Sequence, residues 1–174
     1  GMFAAIAAAG NGHRVDLYEK NEKLGKKIYI TGKGRCNLTN ACDMEELFEI
    51  VGTNRKFLFS AFYGFTNQDT IRFFEASGMP VKIERGNRVF PVSDHSSDVI
   101  NALIRQLKKH QVSIHLLTEV QTVLTKNGQV QGIRLSDQTT VEADAVIVAT
   151  GGLSYRTTGS TGDGYRMAGE QGHT

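Results

Sequence analysis

The sequence predicts an α/β fold built on a parallel sheet, and three stretches carry that prediction. The first opens the chain. A Gly- and Ala-rich run (Gly1-Met2-Phe3-Ala4-Ala5, then Ala7, Ala8 and Ala9) passes through Asn11-Gly12 into Val15-Asp16-Leu17-Tyr18 and ends on an acid, Glu19. Small residues suit a helix pressed against a sheet, so the stretch reads as helix, turn, strand. The second is Ala143-Asp144-Ala145-Val146-Ile147-Val148-Ala149-Thr150-Gly151-Gly152, a near-continuous apolar run ending in glycines. A parallel strand buried on both faces has that composition, and open α/β sheets bind ligands at such carboxyl ends. The third is the polar segment Lys20 to Asn40, punctuated by Gly25, Gly32, Gly34 and Asn37. It reads as loop and turn, and a loop that long is rare unless it serves a function.

The opening stretch matches the second half of a dinucleotide-binding βαβ unit. Glu19 follows Gly1 at close to the roughly 20-residue separation between the glycines of G-x-G-x-x-G and the acid that takes ribose hydroxyls. Gly1 is then the third glycine, with the first strand and the first two glycines expected before residue 1. The alternatives are a buried Ala-rich helix followed by any parallel strand, or a tag remnant at Gly1 ahead of an initiator methionine.

At 174 residues the chain can bury one good core, or one domain and part of another. Its 40% hydrophobic and 22% charged content is ordinary for a globular protein. A net charge of +2 argues against nucleic acid or an anionic membrane as main partner. No apolar run approaches the roughly 20 residues that span a bilayer, and no signal peptide is visible. Cys36 and Cys42 have neither a zinc spacing nor the density of a disulfide scaffold, which predicts a reducing, cytoplasmic setting. His13, His95, His110 and His115 show no metal-ligand spacing.

The lysines and arginine of the loop (Lys20, Lys23, Lys26, Lys27, Lys33, Arg35) offer charge to a phosphate, or form a solvated charge run. The spacing of Gly25 and Gly32-Lys33, with no Ser or Thr after the lysine, excludes a Walker A loop. Three apolar stripes then predict helices: Leu47, Ile50 and Val51; Phe57, Leu58, Ala61 and Phe62; Ile71, Phe73 and Phe74. Asp43 and Asn67 are candidate N-caps, and Gly52, Gly64 and Gly78 candidate stops. The phenylalanines read as core more readily than as a stacking platform for bases.

Val81 to Val92 predicts a hairpin around Arg85-Gly86-Asn87. Ser96 or Ser97 caps an amphipathic helix carrying Val99, Ile100, Leu103, Ile104 and Leu107. Short strands follow over 114–124, 130–135 and at Val141, around Asn127-Gly128 and Ser136-Asp137; the Asn-Gly pair is the plainest hairpin signal in the chain. After the glycines of 151–152, Thr158-Gly159-Ser160-Thr161-Gly162-Asp163-Gly164 leads into a helix from Tyr165 to Gly169. There Asp163 either caps the helix or lines a ligand site.

The run Gly25-Lys26-Lys27-Ile28-Tyr29-Ile30-Thr31-Gly32-Lys33-Gly34-Arg35-Cys36-Asn37-Leu38-Thr39-Asn40 resembles the G-K-K-x-x-x-[ST]-G-x-G-R-C-N-x-T-N signature of the BaiN-like, aminoacetone oxidase-like FAD-dependent bacterial oxidoreductases. Arg88-Val89-Phe90-Pro91-Val92-Ser93, Thr150-Gly151-Gly152-Leu153-Ser154-Tyr155 and Thr158 to Tyr165 resemble further blocks of that family, in order along the chain. The resemblance implies a Rossmann-like FAD-binding domain of the glutathione reductase-like kind, incomplete at both ends, with β-hairpin and helical insertions. Residues 1–174 would form part of that domain, and a substrate domain and a returning flavin-binding segment would follow.

The resemblance further implies an oxidoreductase whose flavin accepts hydride from NAD(P)H or a small organic, for instance amine, substrate. Gly1 would stand at the pyrophosphate-facing helix start and Glu19 on the adenosine ribose. Lys20 and Lys27 would lie near ribose and phosphate, and Thr31, Gly34, Arg35 and Asn37 on the pyrophosphate and flavin side. Val120 would meet adenine through its backbone, and Thr150, Gly151 and Gly152 would pass close to the dinucleotide. Arg156 stands where the family has proline after Ser-Tyr. No acid or base stands out as catalytic, no metal is expected, and the oligomeric state is open.

Two other readings stand beside this one. One is a flavin-binding interaction or sensing module without catalysis. The other is a basic nucleotide- or RNA-binding module built on Lys20 to Arg35, against which stand the small net charge and the lack of an RNA-binding motif. Cys36, next to Arg35, is either a packing neighbour of the flavin or a thiol made reactive by the adjacent cation.

Overall fold

A computed structural model describes residues 1–173. In chain order the elements are α1 (Met2–Gly10), β1 (Asp16–Tyr18), α2 (Lys26–Ile30), β2 (Thr39–Asn40), α3 (Met44–Ile50), α4 (Arg55–Gly64) and α5 (Asn67–Ala76). They continue with β3 (Val81–Glu84), β4 (Arg88–Pro91), α6 (Ser96–Lys109), β5 (Ser113–His115), β6 (Val120–Lys126), β7 (Gln129–Leu135), β8 (Thr140–Glu142) and α7 (Asp163–Glu170). The chain divides into two units, one of residues 1–27 and 106–174 and one of residues 28–105, with one boundary inside α6. Among the described residues no helix is long and apolar enough to cross a membrane.

The first unit holds two sheets. In one, β1 runs parallel to β5, with Asp16 opposite Ser113 and Tyr18 opposite His115. Parallel neighbours need a crossover, here the whole second unit and α6. The other is an antiparallel meander, β6-β7-β8, turned by Asn127-Gly128. Both turn residues have positive φ (52° and 74°), the pair of dihedrals that a two-residue hairpin matching strand twist demands. Ala5, Ile6, Leu24, Leu107, Val112, Val123, Ile133, Leu135 and Met167 are the buried apolar residues of this unit.

The second unit is built on the antiparallel sheet β2-β4-β3. The β3–β4 hairpin falls where the sequence places it, Val81 opposite Pro91 and Glu84 opposite Arg88. Phe74, Met79, Val89, Phe90, Val99, Ala102 and Leu103 are buried there. Within α6 the buried Val99, Ala102, Leu103 and Leu107 recur at helical spacing, as its sequence pattern predicts.

Several expectations are corrected. Residues 143–149 form no strand, and Ile147 and Val148 are 64% and 45% exposed. A parallel strand needs a ladder partner on its edges and cover on both faces, and no described strand runs alongside it. The segment 20–40 is not all loop, since α2 and a 3-10 turn at Thr31–Gly34 occupy it. The N-cap of α5 is Thr66, not Asn67; its hydroxyl accepts from the Asp69 N–H at 3.0 Å while Asp69 accepts from the Thr66 N–H at 2.9 Å, a capping box. Asn67 instead donates to the carbonyls of Asn40 and Cys42, both at 2.7 Å. The phenylalanines are not uniformly core: Phe74 is 2% exposed, but Phe57 is 85% exposed. Phe48, Phe59 and Tyr63 stack on the α3–α4 surface with centroids 4.5–5.6 Å apart.

Candidate functional site

Glu19, Lys20 and the segment that leads to Val120 come together at the end of β1. Glu19 leaves β1 with its N–H donated to the His115 carbonyl at 2.9 Å, which continues the parallel ladder by one residue. Its own carbonyl accepts the Thr118 N–H at 3.0 Å, and the Asn21 carbonyl accepts the Leu117 N–H at 3.0 Å. These bonds bring the segment that enters β6 at Val120 beside Glu19. The sequence names both residues, and the fold brings their segments together.

The Glu19 carboxylate is held from one side. Oε1 accepts from the Asn21 N–H at 2.9 Å and from Asn21 Nδ2 at 2.6 Å. Among the described residues no donor bonds Oε2. An open carboxylate oxygen at a strand's carboxyl end has the chemistry to accept hydroxyls of a ribose.

Lys20 donates to Asp163 Oδ2 at 2.6 Å and to Thr161 Oγ1 at 2.7 Å. The ammonium beside it, with the Thr161 hydroxyl, holds the Asp163 carboxyl below the usual carboxylate range. Asp163 is the first residue of α7 and Gly162 is its N-cap; Asp163 Oδ2 accepts from both Lys20 and Thr161. Lys27 donates to the Ser154 carbonyl at 3.3 Å and lies 5.8 Å from the Tyr155 ring centroid. Thr150, Gly151 and Gly152 lie before that turn, where Thr150 Oγ1 faces Gly164 and Tyr165 Oη faces Gly152.

In the second unit Thr31, Gly34, Arg35 and Asn37 sit on one turn. The Thr31 hydroxyl donates to the Ile28 carbonyl at 2.8 Å, and the Cys36 N–H to the Thr31 carbonyl at 3.1 Å. Arg35 donates to Asp94 at 2.7 Å and to Glu84, and its guanidinium lies 4.1 Å over the Phe90 ring. Lys82 pairs with the same Asp94 at 2.5 Å. With its amide oriented to satisfy its neighbours, Asn37 donates to the carbonyls of Thr39 and Val89 at 3.1 Å each. Burial pushes the Cys36 thiol up and a bond from Thr31 only partly offsets it. Arg35 is committed to its two carboxylates, which leaves the packing role for Cys36.

What the sequence missed is the pairing of Lys20 with Asp163. An ion pair 143 residues apart leaves no local signal. Among the described residues there is no group of His, Cys, Asp and Glu that would hold a metal ion.

The family described as HI0933-like protein Rossmann domain matches residues 1–174. A 3-dehydro-bile acid delta(4,6)-reductase of Clostridium scindens is 36% identical over 177 residues, which cover 100% of this chain and 42% of that protein. A ribosomal RNA dihydrouridine synthase of Escherichia coli is 31% identical over 169 residues, 97% of this chain and 41% of that protein. The chain thus spans about two fifths of the length of these relatives. Among solved structures, the open conformation of a flavocytochrome c3 fumarate reductase superposes with a TM-score of 0.67 at 22% identity, over 97% of this chain and 38% of that one.

Proposed function

Because this chain belongs to the HI0933-like protein Rossmann-domain family, we propose that the whole protein is an FAD-dependent oxidoreductase and that the first unit holds the adenosine half of the cofactor. The observation that carries the reading is Glu19 at the carboxyl end of β1, anchored through Oε1 by Asn21 and open at Oε2. A carboxylate in that place accepts both ribose hydroxyls, and the helix start receives the pyrophosphate. Val120 and the Thr150 to Gly152 run are the remaining contacts proposed there, with Thr31, Gly34, Arg35 and Asn37 proposed on the flavin side. When bound, FAD supplies hydride transfer; the chain binds and orients it.

The names of the two relatives describe hydrogen added across a carbon–carbon double bond, in a steroid skeleton and in uridine. We therefore favour reduction of an activated C=C bond in a small molecule, with NAD(P)H as donor. Against nucleic acid as main partner stands the pairing of the basic loop: Lys20 is spent on Asp163, Lys26 on Glu22 and Arg35 on Glu84 and Asp94. Three of its six cations are thereby paired with carboxylates, which lowers the charge it offers a polyanion.

The visible spectrum of the full-length protein purified from cells tests this. Flavin absorbance, FAD released on denaturation, and bleaching by NADH or NADPH that an unsaturated ketone reverses are expected. A colourless protein that takes up no added FAD overturns the reading.

A further inference from the structure

The loop that follows Glu19 and the turn that enters α7 are tied at several points. Lys20 Nζ bridges Thr161 Oγ1 and Asp163 Oδ2, and Thr161 also donates to that same Asp163 oxygen at 2.8 Å. Asn21, the residue that anchors Glu19, brings Nδ2 to 3.4 Å from the Thr158 carbonyl. Lys26 braces Asn21 from the other side, Nζ to Oδ1 at 3.1 Å. Gly159 has φ +98°, and a Cβ there would sit 2.7 Å from Asn21 Nδ2 and 3.4 Å from Lys20 Cε. The turn therefore lies directly on the two residues that follow Glu19, and only glycine allows that approach. The side chains of Lys20 and Asp163 are about three quarters covered, at 26% and 22% exposed.

We infer that Asp163 is a positioning residue for the adenosine end of the proposed dinucleotide site: it fastens Lys20 to the 158–163 turn, and the turn, through Asn21, fixes the Glu19 carboxylate. The inference rests on the proposed function for its ligand and on geometry alone for the latch. Asp163 does not touch the nucleotide in this scheme. Its effect is to keep Glu19 in one rotamer, so that no ordering of the 19–21 loop is left to occur on binding.

Asp163→Asn in the full-length protein breaks the charge pair with little change in volume. Titrated with FAD and with ADP, the variant is expected to bind each about twofold to fivefold more weakly, the range for a partly exposed ion pair. FMN, which lacks the adenosine half, keeps its wild-type affinity, which a general loosening of the fold would not allow. Asp163→Glu restores most of the affinity, and Lys20→Met combined with Asp163→Asn is no weaker than either alone. Amide exchange in the ligand-free protein supplies the second arm, with faster exchange expected at 19–21 and at 158–162 together. Unchanged exchange at 19–21 in Asp163→Asn overturns the latch, and an unchanged ADP affinity overturns its role at the adenosine end. A wild-type protein that binds no FAD sinks the function proposed above but not the latch, which the exchange arm decides alone.

Discussion

Gly132 carries the hardest constraint on any single residue of the meander. Its φ is +146°, and a Cβ there would overlap the carbonyl of Val141 on the neighbouring strand. It lies beside the bulge between Leu124 and Thr125, where β6 and β7 slip register. Gly132→Ala is expected to cost about 2–4 kcal/mol, read as a lowered midpoint in urea unfolding. Glu19→Gln removes the charge proposed to accept the ribose hydroxyls while keeping its shape; FAD affinity is expected to fall about tenfold, measured by fluorescence titration of the full-length protein. Cys36 is buried with its thiol raised, so it should react with a disulfide reagent at pH 8 only after denaturant is added. Residue types told part of this in advance. The place of Glu19 at the end of β1 was legible because a short apolar run closing on an acid is a local pattern. The rotamer of Glu19 was not, because Asn21 and the turn at Thr158 hold it.

At the scale of elements the capping box of α5 is the sharpest case. Asp69 accepts from the Thr66 N–H and hydroxyl and from Arg72, and these bonds lower its pKa to about 2. A carboxylate lowered in the folded state stabilises it above its ordinary value of about 4 and loses that effect as pH falls toward 2. The melting temperature should therefore drop between about pH 4 and pH 2, and Asp69→Asn should flatten that drop. Thr66→Ala, read by the same melts at neutral pH, is expected to cost about 1 kcal/mol. The sequence contains T-N-Q-D at the helix start, yet it favours Asn67 as cap, since both residue types cap well. The choice falls to Thr66 because Asn67 is drawn off to the carbonyls of Asn40 and Cys42. The hairpin turns were legible to the residue, Asn127-Gly128 and Arg85-Gly86-Asn87, because turn dihedrals are local, whereas the strand expected over 114–124 is two, β5 and β6. The short helix α2 was not, since glycines on either side mask its five residues.

At the scale of the whole chain the family and the Rossmann-like class follow from short blocks in order, and these survive in the sequence whatever the packing. Strand pairing does not. Residues 143–149 have the composition of a buried strand, but composition cannot supply the neighbour that a strand must bond. In this 174-residue chain, amide exchange at 144–149 is expected to be faster than at 130–135, whose amides lie in a three-stranded ladder. Equal protection of the two segments would show that residues 144–149 find a partner strand.

The β6–β7 hairpin has a use beyond the fold. Its tip, Asn127-Gly128, is exposed, and the register around it is held on the far side by β8 pairing with β7. Tips of that kind accept foreign sequence with little loss. An affinity handle or a fluorescent reporter spliced between Asn127 and Gly128 would leave the Glu19 loop and the start of α1 untouched, and so would make cofactor uptake visible in living cells.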